Sequence, residues 1–152
     1  MDFHFEPAVA GDFDALADLR IAAMRDSLER IGRFDPVRAR ERLAANFAPE
    51  HTRHIISAGR RVGFVVLKPQ ADGLLLDHLY LHPDAQGRGI GAAVLRAVLD
   101  DADVRELAVQ VGALRGSDAN RFYQRHGFRL VGESEFDLLY RRPAGGAGLG
   151  PG

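Results

Sequence analysis

Residues 74–98 constrain this chain more than any other segment. Leu74-Leu75-Leu76-Asp77-His78-Leu79-Tyr80-Leu81 is an apolar run that reads as a β-strand. His82-Pro83-Asp84-Ala85 interrupts it, and Gln86-Gly87-Arg88-Gly89-Ile90-Gly91 follows as a glycine-rich turn. Ile90, Ala93, Val94, Ala97 and Val98 then recur at the spacing of an amphipathic helix. A strand that feeds a glycine turn at a helix start is built to hold an anion. The glycines permit positive φ and close approach, and the free N–H groups of the first helical turn can converge on a phosphate.

Three phosphate sites have this outline. A P-loop ends in Gly-Lys-Ser/Thr, and Ile90-Gly91-Ala92 stands here instead, so no lysine or hydroxyl meets a γ-phosphate and its Mg²⁺. A dinucleotide site fits Gly87-x-Gly89-x-x-Ala92, but requires an acid closing the next strand, and that strand ends Val109-Gln110-Val111-Gly112-Ala113. The third match is to a family. Gln86-Gly87-Arg88-Gly89-Ile90-Gly91 resembles the acetyl-coenzyme A motif of the GNAT superfamily of N-acetyltransferases, Gln/Arg-x-x-Gly-x-Gly/Ala. Ala119-Asn120-Arg121-Phe122-Tyr123-Gln124-Arg125-His126-Gly127-Phe128 resembles a second motif of the same family, Ala-x-x-Phe-Tyr-x-x-x-Gly-Phe. Two motifs in the family's order are far more specific than either alone.

The resemblance implies a site. The backbone of Leu79, Tyr80 and Leu81 would pair with the pantetheine amides like an added strand. The amides of Gly87, Arg88, Gly89, Ile90, Gly91 and Ala92, behind Gln86, would hold the pyrophosphate of acetyl-CoA, with Arg88 adding a charge-assisted contact. Members often carry an Asn shortly before the second helix; Gly116 and Ser117 occupy those places here, so Ser117 and Asn120 are the polar candidates. Tyr123 stands at the family's Tyr position, where the hydroxyl points at the sulfur. A phenol of ordinary pKa about 10 can protonate a departing thiolate of about 8.5. Phe122 beside it reads as a core aromatic, and packing is the competing role for Tyr123.

Whether a base is needed depends on the acceptor. Neutralising a lysine-like amine at pH 7 costs about 4.6 kcal/mol, an α-amine about 1. Asp77 and His78 are the polar residues of the 74–81 strand, and alternation turns them to opposite faces unless a bulge intervenes. In the family a base often comes from this strand, which favours Asp77 by position and His78 by pKa. A turn-bonded Asp and a satisfied core His are the competing roles. His51 and His54, at i and i+3 before a strand, read as surface residues, His82 and His126 as structural, and no metal site is expected.

Composition narrows the partners. The 152 residues with 46% hydrophobic content suit one ordinary core. Twenty basic against 21 acidic residues give a net charge of −1, which calls for neither nucleic acid nor an anionic membrane. Cysteine is absent, removing disulfides and a thiol nucleophile. No long apolar run or signal-peptide start is present, so a cytoplasmic protein is expected, and a homodimer is compatible with the sequence.

The remaining pattern supplies a strand around Phe3 to Val9, then a helix over 13–31 capped by Asp12, then a second helix over about 37–47 after the break at Asp35-Pro36. A hairpin of 53–58 and 61–68 follows, then the 74–81 strand, the glycine-loop helix and a strand over 104–111. Last come a helix capped by Ser117 or Asp118 and ended by Gly127, and strands near 129–132 and 136–141. Arg25, Arg30, Arg33, Arg38, Arg40 and Arg42 outnumber the acids of the first helix pair, a solvated face or a lip favouring an acidic acceptor.

This order predicts an α+β fold, a single GNAT-like domain over 1–142 with a mixed, mostly antiparallel sheet and helices on both faces. A flexible tail is expected over 143–152. The function implied is acetyl-CoA-dependent transfer to a small-molecule or peptide amine in a ternary complex. A CoA-binding sensor without turnover is the alternative, and a redox dinucleotide enzyme lies behind both.

Overall fold

The computed structural model describes residues 2–145. Within them β1 (His4–Pro7), α1 (Phe13–Arg30), α2 (Pro36–Ala45), β2 (Thr52–Ser57), β3 (Arg60–Gln70) and β4 (Gly73–Leu81) come first. They are followed by α3 (Ile90–Val104), β5 (Ala108–Leu114), α4 (Ala119–Arg125), β6 (Arg129–Glu133) and β7 (Asp137–Arg142). The order of strands and helices is the one expected. The strands form one seven-stranded sheet in the order β1-β2-β3-β4-β5-β7-β6. β4 and β5 pair in parallel, while β1·β2, β2·β3, β5·β7 and β6·β7 are antiparallel, so the fold is α+β with a mixed, mostly antiparallel sheet.

The chain forms two compact units, one of residues up to Val66 together with His78–Ala93, the other of Leu67–Asp77 and the chain from Val94 onward. In the first, Leu16 and Ala17 of α1 and Leu43 of α2 bury against Phe64 and Val66 of β3, with Phe13, Leu19, Phe47 and Tyr80 packed around them. Val65 between those two is also buried, so β3 is covered on both faces here. Ala58 (φ 52°) and Gly59 (φ 74°) turn β2 into β3, the pair of left-handed residues that a two-residue hairpin turn requires. Asp35 caps α2 by accepting from the Arg38 N–H (3.2 Å), with Pro36 at the first helical position.

Two expectations need correction in this unit. Asp12 precedes α1 but caps nothing there; its carboxylate accepts from the Val9 N–H (3.0 Å) and from His54 Nε2 (2.9 Å). His54 is accordingly buried rather than on the surface, because Asp12 satisfies its ring where β2 passes under the start of α1.

In the second unit Leu95, Val98, Leu99 and Ala102 of α3 are buried, as are Val109, Val111, Ala113 and Tyr140 of β5 and β7. β5 begins at Ala108 and not at Val104. α3 runs on through Val104, whose side chain is exposed, and Glu106 (φ 57°) makes the turn. Arg142 of β7 is buried and donates to both oxygens of Asp103 on α3, at 2.7 and 3.0 Å, a bidentate pair that also takes the Gly145 N–H (2.9 Å). Of the tail expected over 143–152, residues 146–152 lie outside the described residues. Among the described residues no helix is long and apolar enough to cross a membrane, and no group of His, Cys, Asp or Glu is arranged to hold a metal ion.

Candidate active site

β4 ends at Leu81, within the first unit, and the chain turns at once. The His82 N–H donates to the Val62 carbonyl (2.8 Å), and His82 Nδ1 accepts from the Asp84 N–H (3.2 Å). A single 3₁₀ turn, Pro83–Ala85, buries Ala85. Gln86 reaches back to donate to the Leu81 carbonyl (3.0 Å), so its side chain fixes the loop to the strand end. Gly87 (φ 76°) and Gly89 (φ 82°) both sit in the left-handed region. Gly91 does not; it lies inside the first turn of α3, which closes with the Ala93 N–H on the Gly89 carbonyl (3.1 Å).

This loop fits a bound phosphate. Residues Gln86 to Gly89 are exposed, and a Cβ on Gly87 would meet no protein atom within 4 Å. Protein packing therefore does not demand glycine there; the backbone conformation does, and the space before it stays open. The N–H groups preceding Ala93 are the set that an α-helix leaves without intrahelical acceptors. Arg88 is exposed beside them.

Behind the loop, the rings of Phe64, His78 and Tyr80 form one cluster, with centroids 5.7 Å apart for Phe64–Tyr80, 5.7 Å for His78–Tyr80 and 6.2 Å for Phe64–His78. His78 and Tyr80 share a face of β4, as alternation requires. Two residues of this region belong to neither sequence motif. Gly63 on β3 leaves no room for a side chain, because a Cβ would collide with the Tyr80 carbonyl oxygen and with Leu81. Arg20 of α1 is buried, and its guanidinium carbon lies 5.5 Å from the Tyr80 ring centroid. Its sequence signal was the spacing, three and four residues past Ala17 and Leu16 on the apolar stripe.

In the second unit Asp77 forms an ion pair with Lys68 of β3 at 2.9 Å. The β4–β5 register there runs from Gly73 opposite Ala108 to Leu76 opposite Val111. A Cβ on Gly73 would run into the Ala108 carbonyl, so glycine sets this close pairing. Tyr123 of α4 is 6% exposed, its ring edge-on to Phe122 (5.3 Å) and Phe128 (5.4 Å). The Phe122 ring also lies tilted against His126 (4.9 Å), whose Nδ1–H donates to the Phe122 carbonyl (2.8 Å). Asn120 Nδ2 donates to the carbonyls of Leu114 (2.9 Å) and Ser117 (3.0 Å), while its oxygen accepts from the Tyr140 hydroxyl (2.8 Å). Ser117 Oγ donates to the Leu114 carbonyl (2.8 Å). The turn between β5 and α4 is thus tied internally by the two polar residues expected at the ligand. Neither Ser117 nor Asp118 caps α4 through its side chain.

These features have counterparts in known proteins. Residues 50–130, which span β2 through the start of β6, match the family of the acetyltransferase (GNAT) domain. The peptidyl-lysine N-acetyltransferase YjaB of Escherichia coli (strain K12) is 33% identical over 101 residues, 65% of this chain and 64% of that protein. The chain therefore spans somewhat less than two thirds of that relative's length. Among solved structures, the PaiA N-acetyltransferase of Thermoplasma acidophilum in complex with coenzyme A superposes with a TM-score of 0.76 at 15% identity, over 94% of this chain and 99% of that one. An acetyltransferase of Thermus thermophilus gives 0.72 at 21% identity, over 94% and 97%. The fold is theirs, and the matched segment holds both the glycine loop and the Tyr123 helix: the chain belongs to the GNAT acetyltransferase family.

Proposed function

We propose that the protein is an acetyl-CoA-dependent N-acetyltransferase that moves the acetyl group directly to an amine in a ternary complex. The observation that carries this reading is the glycine loop: left-handed Gly87 and Gly89 opening α3, with open space at Gly87, inside the segment that matches the family. Acetyl-CoA would supply an activated acyl group as a thioester. The amides of Gly87 to Ala92 hold its pyrophosphate, Arg88 adds charge, and the backbone of Leu79 to Leu81 offers the edge that pantetheine extends. Gln86 keeps that edge and the loop in register. Ser117 and Asn120 brace the turn before α4, which carries Tyr123.

Tyr123 is the acid that returns a proton to the sulfur, held rigid between Phe122 and Phe128. Asp77 or His78 removes the proton of the amine. Direct transfer is supported by a chain without cysteine, the side chain best suited to carry an acyl group. A screen of lysine peptides, peptide N-termini, polyamines and amino acids, reading CoA-thiol release, tests the reading. Release with one amine class supports it; tight acetyl-CoA binding with no release across the panel would leave a sensor instead.

A further inference from the structure

We infer that Arg20 reads a carboxylate on the acceptor, so that the amine acetylated belongs to an acidic molecule, such as an amino acid or an acidic peptide. This specificity rests on the acetyltransferase reading and deepens it. Arg20 is only 4% exposed, yet no Asp or Glu among the described residues pairs with it. One of its nitrogens, Nη1, donates to the Ala39 carbonyl (2.6 Å), and the guanidinium lies near the face of Tyr80 (5.5 Å). Nε is fully buried with no hydrogen-bond partner.

A charge taken out of water and left without an opposite charge is costly, and one carbonyl and one ring offset only part of that cost. Other arginines of the same helix pair are treated differently. Arg25 meets Glu29 (3.6 Å), and Arg40 meets Asp14, both at exposed positions. The buried cation is thus left short of an anion, and it is aimed at the face of β4 that carries Tyr80 and His78. A planar guanidinium whose donors are incompletely satisfied matches a carboxylate arriving with the acceptor.

The test uses matched probes that differ in one carboxylate: succinate against its monoamide succinamate for binding by calorimetry, and amino acids against their carboxamides for turnover. Wild type should favour the carboxylate member by about 10- to 100-fold, the range of a charge-assisted pair. In Arg20→Gln that ratio should fall to about one through KM rather than kcat. Its Tm should hold or rise, since an uncompensated buried charge has been removed. Arg20→Lys, which keeps the charge and loses the fork, should retain part of the preference, and decides the matter if the Gln variant does not fold. Equal binding of acid and amide by wild type, or an undiminished preference in the variants, overturns the inference. Calorimetry with acetyl-CoA alone tests the parent reading separately. Its failure would sink the transferase while the succinate comparison still judges Arg20.

Discussion

Gly63 and the carbonyl of Tyr80 occupy a space that admits no methyl group: a Cβ on Gly63 would overlap that oxygen and press on Leu81. The contact holds β3 against the last residues of β4, the ones that lead into the glycine loop. Gly63→Ala should therefore act on two levels. Overpacking should cost about 1 to 3 kcal/mol of stability. Displacement of Tyr80 and Leu81 should also raise the KM for acetyl-CoA. A variant with lowered Tm but unchanged acetyl-CoA KM would separate the strand position from the cofactor.

Gly89 has φ 82° in an exposed loop, so its replacement strains the backbone by about 1 to 2 kcal/mol without touching the core. Gly89→Glu also sets a carboxylate against the pyrophosphate. Like charges there should weaken acetyl-CoA by more than about a hundredfold while the far-UV spectrum stays native. Unchanged affinity in calorimetry would mean that the cradle lies elsewhere.

Tyr123→Phe removes one hydroxyl from a side chain that keeps its ring contacts with Phe122 and Phe128. If the phenol protonates the sulfur, kcat should fall by about 10- to 1000-fold with acetyl-CoA binding little altered. Full turnover would reduce Tyr123 to a packing residue.

What could be read from the sequence follows physical lines. Apolar runs, helical periodicity and breaking or capping residues give the order of the strands and helices among the described residues, because a half-buried strand and an amphipathic helix announce themselves in their own residues. The glycine loop was legible for the same reason: positive φ is a local demand, met by Gly87 and Gly89. Gly63 and Gly73 were not, since each is required by a neighbouring strand's carbonyl that is distant in sequence or not apparent from it. His54 looked like a surface residue because its partner, Asp12, is 42 residues away. The end of α3 is not legible because Val104 is an exposed valine, and burial rather than β-propensity decides where a strand begins. Asn120 was marked for its place in a motif, while its amide serves the Leu114 and Ser117 carbonyls.

Asp77 and His78 make different predictions as the base. Asp77 sits against Lys68 at 2.9 Å, whereas His78 stands among aromatic rings. If Asp77 acts, Asp77→Asn should cost most with lysine-like amines and least with α-amines, whose proton is about 3.5 kcal/mol easier to remove. If His78 acts, kcat/KM should show a limb that ascends with pH, and His78→Gln should abolish that limb. Near wild-type rates in both variants would mean that the amine is captured already neutral.

Acid should loosen the fold through two carboxylates. Hydrogen bonds from Arg142 hold Asp103 below its ordinary value of 3.8, and hydrogen bonds from His54 and the Val9 N–H do the same for Asp12. A carboxyl whose folded pKa is depressed binds fewer protons in the native state than in the unfolded one. Its contribution is therefore present above about pH 4 and is lost as the pH falls through the folded value. Unfolding free energy should thus decline from about pH 5 toward pH 3, and less steeply in Asp103→Asn. At pH 7 that variant should already be weaker by about 1 to 3 kcal/mol, because the buried Arg142 loses its charged partner. Denaturant titrations at several pH values check both statements. An acid limb with the same slope in the variant would exclude Asp103 as one of its sources.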